Sequence, residues 1–434
     1  MACESRIVVV GAGPAGLSAA VTLARHDLPV TLIDRAQTIG GAIYRQNQLG
    51  DRKLRLTRAH EKRWARLKAG FETCGTMIDF RSQTRFAGAD WRGAVFLASD
   101  VSGASEITIP AGLIVATGAR ELARPRIGWT EAGVTTVGAL QIGMKSTGFA
   151  PEGRIVLAGS GPLLLVAAAQ LARLGNPPAA VIEAGRPFSN LVEGLKLPLS
   201  YKLEAMELIA TLLKHRVPIM TGANLISIEK EQDGSFRLTM ETDKGARKSI
   251  SADHVGLHDG IVTNAGGVGD LSAIPTEKAG DCSHVLGAAA SEADGILAAC
   301  KLMKKLGHHI TLPQDIVAQH EKERRAQALI KTLYTPRKVP DIHDLPDQTV
   351  LCRCENRTVG DLRQLQDKDG DSVRALRLRG RFGMGPCQGR FCLRWVSDYA
   401  SGTPEEADLS GERWPTIPIS VSAFTDATDQ TANI

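Results

Sequence analysis

Aromatic side chains make up only 4% of the 434 residues, whereas glycine alone accounts for 44. A platform for stacking single-stranded nucleic acid needs several aromatics among basic residues. The densest basic stretch, Arg52 to Arg66 with Lys53, Arg55, Arg58, Lys62 and Arg63, contains only Trp64. Excess charge is missing too, since the net charge is +5. Nucleic acid is therefore not an expected partner, and the stretch reads as a solvated helix face, with a partner or a cofactor phosphate as its alternative contact. No apolar run reaches ~18 residues, so no membrane span is expected. No charged-then-apolar leader precedes the first strand, so the expected location is cytoplasmic, at most peripheral to the inner membrane. Cysteine is sparse: Cys3, Cys74, Cys282 and Cys300 are scattered, while Cys352, Cys354, Cys387 and Cys392 cluster late. That distribution excludes a disulfide framework and points to a local metal site.

What is present suits a globular α/β chain. Hydrophobic residues make up 43% and charged residues 23% of the sequence. At ~100–200 residues per domain, the length suggests two to four domains. Residues 6–10 read as a buried strand, Gly11 to Gly16 as a tight turn, Leu17 to Arg25 as a helix and Pro29 to Asp34 as a second strand. This β–α–β order is the nucleotide-binding unit. Residues 112–118 read as another buried strand leading into a turn. The plan then repeats: strand 154–158, turn Gly159 to Gly161, helix 162–174, strand 179–183. The predicted fold class is thus α/β, with two Rossmann-like dinucleotide-binding units and a small C-terminal module.

The first turn reads Gly11-x-Gly13-Pro14-Ala15-Gly16, with Asp34 eighteen residues after the last glycine. Gly11 permits the turn, Gly13 lets backbone approach a pyrophosphate, and Gly16 lets the helix pack close to its strand. The phosphates would sit on the helix N-terminus, whose free N–H groups favour anions. Asp34 can accept from ribose hydroxyls. Three further features favour FAD over NAD: Arg35 with Gly40-Gly41, the run Ala116-Thr117-Gly118, and the late pair Gly280-Asp281 before Gly287-Ala-Ala-Ala. Residues 1 to about 310 resemble the two-dinucleotide-domain flavoproteins, which include glutathione- and thioredoxin-reductase-like enzymes. The resemblance implies that Gly280-Asp281 reaches the ribityl chain and pyrophosphate of FAD. It also implies that the FAD domain is split by insertion of the second unit. No Cys-x-x-Cys or Cys-x4-Cys lies near these segments, so a disulfide reductase's dithiol is missing.

The second turn is degraded. It reads Gly159-Ser160-Gly161-Pro162-Leu163-Leu164, with leucine at the third glycine position and Glu183 where a ribose acid would stand. Leu164 is expected to push the helix off the strand and crowd the turn. NAD(P) is therefore not expected here. A vestigial scaffold or a site for another nucleotide or flavin is the reading.

The late cysteines run Cys352-x-Cys354, thirty-two residues, then Cys387-x4-Cys392. Four thiolates match a [2Fe–2S] cluster, and structural zinc prefers wider pair spacing than Cys-x-Cys. Zinc and free buried thiols stay open as alternatives. Glycines in Gly383-Met-Gly-Pro-Cys-Gln-Gly-Arg-Phe-Cys392 leave backbone N–H groups free to donate to sulfur. Thr358 with Asp361 reads as a capping box. The segment resembles the bacterioferritin-associated-ferredoxin-like 2Fe–2S module. His254, His258 and the pair His308-His309 form no ligand set and read as surface or core residues.

Taken whole, the chain resembles the A (α) subunits of heteromeric flavin-dependent amine dehydrogenases: opine oxidases, D-hydroxyproline dehydrogenase and hydrogen cyanide synthase. The resemblance implies an iron–sulfur flavoprotein of opine catabolism that transfers electrons, with the amine oxidised on an FAD-containing B (β) subunit. It also implies a small ferredoxin-like third subunit, with FMN at an interface between subunits as an option. No catalytic residue is assigned within the chain. The readings from other classes are a free-standing NAD(P)H-dependent reductase and a non-catalytic assembly subunit. The expected division is 1–120 with 251–333 for FAD, 121–250 for the second unit, 334–347 as linker, 348–400 as the 2Fe–2S module and 401–434 as an extended tail.

Overall fold

In a computed structural model, the chain is described at residues 6–50, 54, 56–189, 191–264, 271, 273–285, 287–369, 373–401 and 415–423. Its first apolar run, Ile7–Val10, is fully buried and central in a five-stranded parallel sheet. The sheet order is Thr276–Lys278, Gly112–Val115, Ile7–Val10, Val30–Ile33, Ile78–Arg81. Strands buried on both faces read as unbroken aliphatic runs, which is why Ile-Val-Val-Val needs no alternation. The helix Pro14–Ala24 lies behind them with every residue but Thr22 buried. It packs on the helix Gly287–Lys305 at contact distance, because a side chain at Gly295 would overlap the Ala15 carbonyl. The Ser18 hydroxyl bonds the Glu292 carbonyl across that seam at 2.8 Å.

The second sheet copies the first. Its order is Ile219–Thr221, Ala180–Glu183, Ile155–Gly159, His254–His258, Val134–Thr136, again all parallel. Each sheet is accompanied by a three-stranded antiparallel meander, 84–108 in the first unit and 223–252 in the second. A two-stranded ribbon, Ala119–Glu121 with Ile261–Thr263, carries the chain out of the first unit and back.

The return comes later than expected at residue 251. His254–His258 still belongs to the second sheet, paired with Ile155–Gly159, and the chain re-enters the first sheet at Thr276–Lys278. A short buried strand carries no mark of which sheet it joins, so the sequence could not place this crossing.

The C-terminal elements, a ribbon Val350–Cys352/Arg357–Thr358 and helices Val359–Asp369, Val373–Gly380 and Leu393–Ser401, share one small core. That core also takes in Leu122 from the body and Ile342 from the stretch expected as linker. The Trp129 indole N–H donates to the Val350 carbonyl at 2.6 Å, and the Arg353 guanidinium lies over the same ring. The module is therefore seated on the body.

Tail residues 415–423 cross from this module to the first unit's meander. Gln388 donates to the Pro415 carbonyl, Thr416 N–H donates to the Ala87 carbonyl at 2.8 Å, and Ile419 packs on Ala87 and Phe96. The rest of the expected tail, 402–414 and 424–434, lies outside the described residues, as do Arg52, Lys53 and Arg55 of the basic stretch. The helix Arg58–Thr73 exposes Arg58, Lys62 and Arg66, with Arg66 paired to Glu292. Among the described residues no helix is long and apolar enough to cross a membrane.

Candidate nucleotide and cysteine sites

The first glycine turn is tight everywhere except at one point. Gly11 has φ +104°, and a side chain there would overlap the Ala116 carbonyl. A side chain at Gly16 would overlap the Gly11 carbonyl. Above Gly13, however, the nearest atom to an added Cβ is the Gly41 Cα at 3.9 Å. The helix that starts at Pro14 has no side-chain cap, so its N-terminus faces this gap uncapped. Asp34 braces the turn with both oxygens, accepting from Ala12 N–H and Ala36 N–H at 2.7 Å each.

A loop closes over the gap. Gly40 and Gly41 sit at φ +116° and +62°, and Gly40 N–H bonds the Ala12 carbonyl at 2.8 Å. Among the described residues, two buried polar atoms of this loop, Thr38 Oγ1 and Arg45 Nε, have no partner. Arg35 is exposed and adds to burial in disfavouring the charge of Arg45, while Asp34 favours it. Gly280 packs against Ala15, its N–H bonded to Asp294 at 2.7 Å. Asp281 accepts from Gly287 N–H and the Ser291 hydroxyl, which ties it to the start of the next helix.

The structure thus brings Gly11, Gly13, Pro14, Ala15, Gly16, Asp34, Arg35, Gly40, Gly41 and Gly280 around one helix terminus. Thr117 and Gly118 are engaged differently: the Thr117 hydroxyl and the Gly118 carbonyl both bond Asn264, fixing the returning ribbon.

The second turn keeps the strand–turn–helix form, with its third glycine position packed into the core. Leu164 is fully buried in the core with Ile155, Leu157 and Val137. Glu183 is 2% exposed and accepts from Gly161 N–H at 3.0 Å and Gly185 N–H at 2.7 Å. Burial pushes it up to about 7, against the pull of those amides and of Ser160. The Ser160 hydroxyl donates to the Tyr334 carbonyl at 2.6 Å, and that carbonyl blocks Gly185.

His258 is 2% exposed, with Nε2 against Gly161 and Nδ1 2.7 Å from Glu121 Oε1. His258 is thus a core residue, and its partner Glu121 stands 137 residues away in sequence, out of reach of a local reading. The turn itself, Gly159 to Pro162, lines a cleft of about 1450 Å³ that reaches Arg394, Trp395 and Asp398 of the helix after Cys392.

The four late cysteines stand as two pairs. Cys392 donates to Cys352, and that bond, with the Glu355, Gly383 and Cys354 amides, holds Cys352 down at about 6 despite burial. Cys354 interacts with Cys387 and is pushed up, chiefly by desolvation. Cys352 and Cys392 are buried, Cys387 is half-buried and Cys354 exposed. Gly385 lies so close to Cys354 that any side chain would overlap it. Thr358 and Asp361 form the reciprocal capping box, at 2.9 and 3.2 Å. Among the described residues no group of three or more His, Cys, Asp or Glu is placed to hold a single metal ion.

The pyridine nucleotide-disulphide oxidoreductase model matches residues 5–282. The A subunit of opine oxidase from Rhizobium meliloti (strain 1021) is 31% identical, over 96% of this chain and 98% of that protein. Its counterpart in Agrobacterium tumefaciens (strain Ach5) is 31% identical, over 90% and 84%. Hydrogen cyanide synthase subunit HcnB of Pseudomonas aeruginosa is 28% identical, over 96% and 98%. Among solved structures, L-proline dehydrogenase from P. horikoshii superposes with a TM-score of 0.64 at 16% identity, over 96% of this chain and 79% of that one. Thioredoxin reductase of Lactococcus lactis gives 0.51 at 18%, over 70% and 99%. These two likenesses concern the fold. The chain belongs to the pyridine nucleotide-disulphide oxidoreductase family and, with the opine oxidase A subunits, to its flavin-dependent oxidoreductases.

Proposed function

We propose that this chain is the electron-transferring subunit of a heteromeric amine dehydrogenase of the opine-oxidase kind, with the amine oxidised on an FAD-containing partner subunit. The observation that carries the reading is the pairing of an open nucleotide turn with a cysteine module seated on the same body. FAD fits the first turn: the gap at Gly13 admits a pyrophosphate, and Thr38 Oγ1 and Arg45 Nε are polar atoms awaiting partners. Asp34 and Asp281 are assigned to its ribose and ribityl ends. The four cysteines Cys352, Cys354, Cys387 and Cys392 would hold a 2Fe–2S cluster, which four thiolates match. When bound, the flavin accepts an electron pair and the cluster passes electrons singly.

The chain's own residues supply binding and insulation. The Glu355, Gly383 and Cys354 amides point at sulfur, and N–H donors of that kind tune a cluster's potential. The module's Arg390 feels the charge of Arg35, so the Cys387–Cys392 loop approaches the Asp34 end of the first turn. FMN at an interface between subunits, if part of the complex, has room in the cleft beside Trp395. The Tyr334 carbonyl at the second turn gives no support to a free-standing NAD(P)H reductase. Octopine and nopaline are the favoured amines, with the substrates of D-hydroxyproline dehydrogenase and hydrogen cyanide synthase as alternatives within the family. A small ferredoxin-like subunit completes the proposed complex.

The test is reconstitution. Anaerobically purified chain should carry about two iron and two sulfide per chain, plus FAD, and should oxidise no amine by itself. Adding the B subunit should restore dye-linked amine oxidation. Turnover by the single chain, zinc in place of iron, or a complex whose flavin and cluster never change redox state would each overturn the proposal.

A further inference from the structure

Among the described residues Lys145 is a buried cation without a counter-charge. It lies on the second unit's helix Val137–Thr147 and is 6% exposed. Its ammonium makes three bonds of 3.0 Å, to the Ala42 and Ile43 carbonyls and to the Gln141 side-chain oxygen. An ammonium has three donors, so all are used. Two of the acceptors belong to the loop whose Gly41 lies over Gly13. A further strut runs beside it, from Gln48 N–H to the Ser146 carbonyl at 2.9 Å. The loop over the first unit's glycine turn is thus held from the second unit.

Burying an ammonium among neutral dipoles is costly unless an opposite charge is near. Among the described residues only Arg45 acts electrostatically on Lys145, and it repels. Gln141 on the lysine's own helix is neutral, and the helix Pro14–Ala24 carries no charged side chain. Asp34 and Arg35 act on Arg45, not on Lys145. Lys145 and Arg45 therefore bring two cations to the loop whose Gly41 lies over an uncapped helix N-terminus, the usual seat of a phosphate.

We propose that Lys145 is the positioning residue for the phosphates of the dinucleotide at the first turn: it locks the Gly40–Tyr44 loop over Gly13 and lends the site an uncompensated positive charge. This rests on the reading of the first turn as the FAD site. It makes nucleotide affinity in one unit depend on the placement of the other. Burial and Arg45 lower Lys145 to about 8, so the free protein gives up this charge in mildly alkaline solution.

The experiment titrates FAD into deflavinated full-length protein at pH 7, 8 and 9. For the wild type, loss of the proton through a value near 8 should weaken binding about tenfold from pH 7 to pH 9. Lys145→Met should bind at least tenfold more weakly at pH 7 and show no pH dependence over this range. Lys145→Arg keeps the charge and should recover part of the affinity with a flat profile. If Lys145→Met fails to fold, the wild-type profile and Lys145→Arg decide. A flat wild-type profile, or Lys145→Met that binds with wild-type affinity and slope, overturns the inference. Absence of FAD binding by the wild type would instead overturn the assignment of the site.

Discussion

The two glycine turns share a backbone plan and differ in what lies on top of them. Over Gly13 the one neighbour of an added Cβ is the Gly41 Cα, at 3.9 Å, and among the described residues Thr38 Oγ1 and Arg45 Nε of the same loop have no partner. Over Gly161 lies the His258 ring, paired with Glu121, while the turn's other groups are engaged within the protein: Gly161 N–H with Glu183 and the Ser160 hydroxyl with the Tyr334 carbonyl. A glycine fingerprint therefore reports a fold, and its unsatisfied groups report a ligand. The same motif at the second turn has been turned to internal use, with Ser160 tethering the end of the helix Gln314–Tyr334.

Matched substitutions should break this comparison most sharply. Gly13→Val places a side chain in the gap and should abolish FAD retention with the fold intact, a loss of at least 100-fold in affinity, or about 3 kcal/mol, by flavin titration. Gly161→Val should do the reverse. Its φ of +138° and the nearby His258 make the change a strain of the fold, of about 1–3 kcal/mol. Flavin content per folded chain should stay unchanged.

A pH series sharpens the contrast further. Glu183 is raised from 4.5 to about 7 on folding, so the unfolded chain loses that proton first. Between those values the folded state binds more protons, and stability falls as pH rises. The fall attributable to Glu183 should reach about 3 kcal/mol. Glu183→Gln should remove that slope in denaturant unfolding at pH 4.5 to 7.5. An unchanged slope would place the titration elsewhere.

The smallest effect is expected from Ser160→Ala, which deletes one hydrogen bond to Tyr334. It should lower stability by about 1 kcal/mol and leave FAD binding unaltered. Gain of NADH binding by this variant would show that the Tyr334 tether is what closes the second turn to a nucleotide.

The contrast between the turns was half visible in the sequence. Both strand–turn–helix units were legible, because buried parallel strands write continuous aliphatic runs and tight turns demand glycine. Leu164 signalled that the second turn had changed, though not how: the leucine is absorbed by the core, and the turn's Ser160 hydroxyl is taken up by the Tyr334 carbonyl, 175 residues after Gly159. Glu121 with His258, and Lys145 with Ala42 and Ile43, are pairings set by tertiary folding alone. A lone lysine on a helix looks like surface. Only burial and the lack of a carboxylate mark it out. The cysteine spacing named four residues, but their sorting into two pairs needed the structure.

The late return of the chain to its first sheet has a consequence for biosynthesis. Thr276–Lys278 pairs with Gly112–Val115, so that flank of the sheet stays unpaired while residues 116–275 are translated. At chain growth of ~5–20 residues/s this wait is roughly 10–30 s. During it, Gly112–Val115 presents unpaired N–H and C=O groups, as any sheet edge does. The second unit, contiguous from Val134 to His258, can close its own sheet in the same interval. The nascent chain should thus complete its middle before its beginning, and a pulse of protease on stalled ribosomes would find the inserted unit resistant while the N-terminal unit is still cleavable.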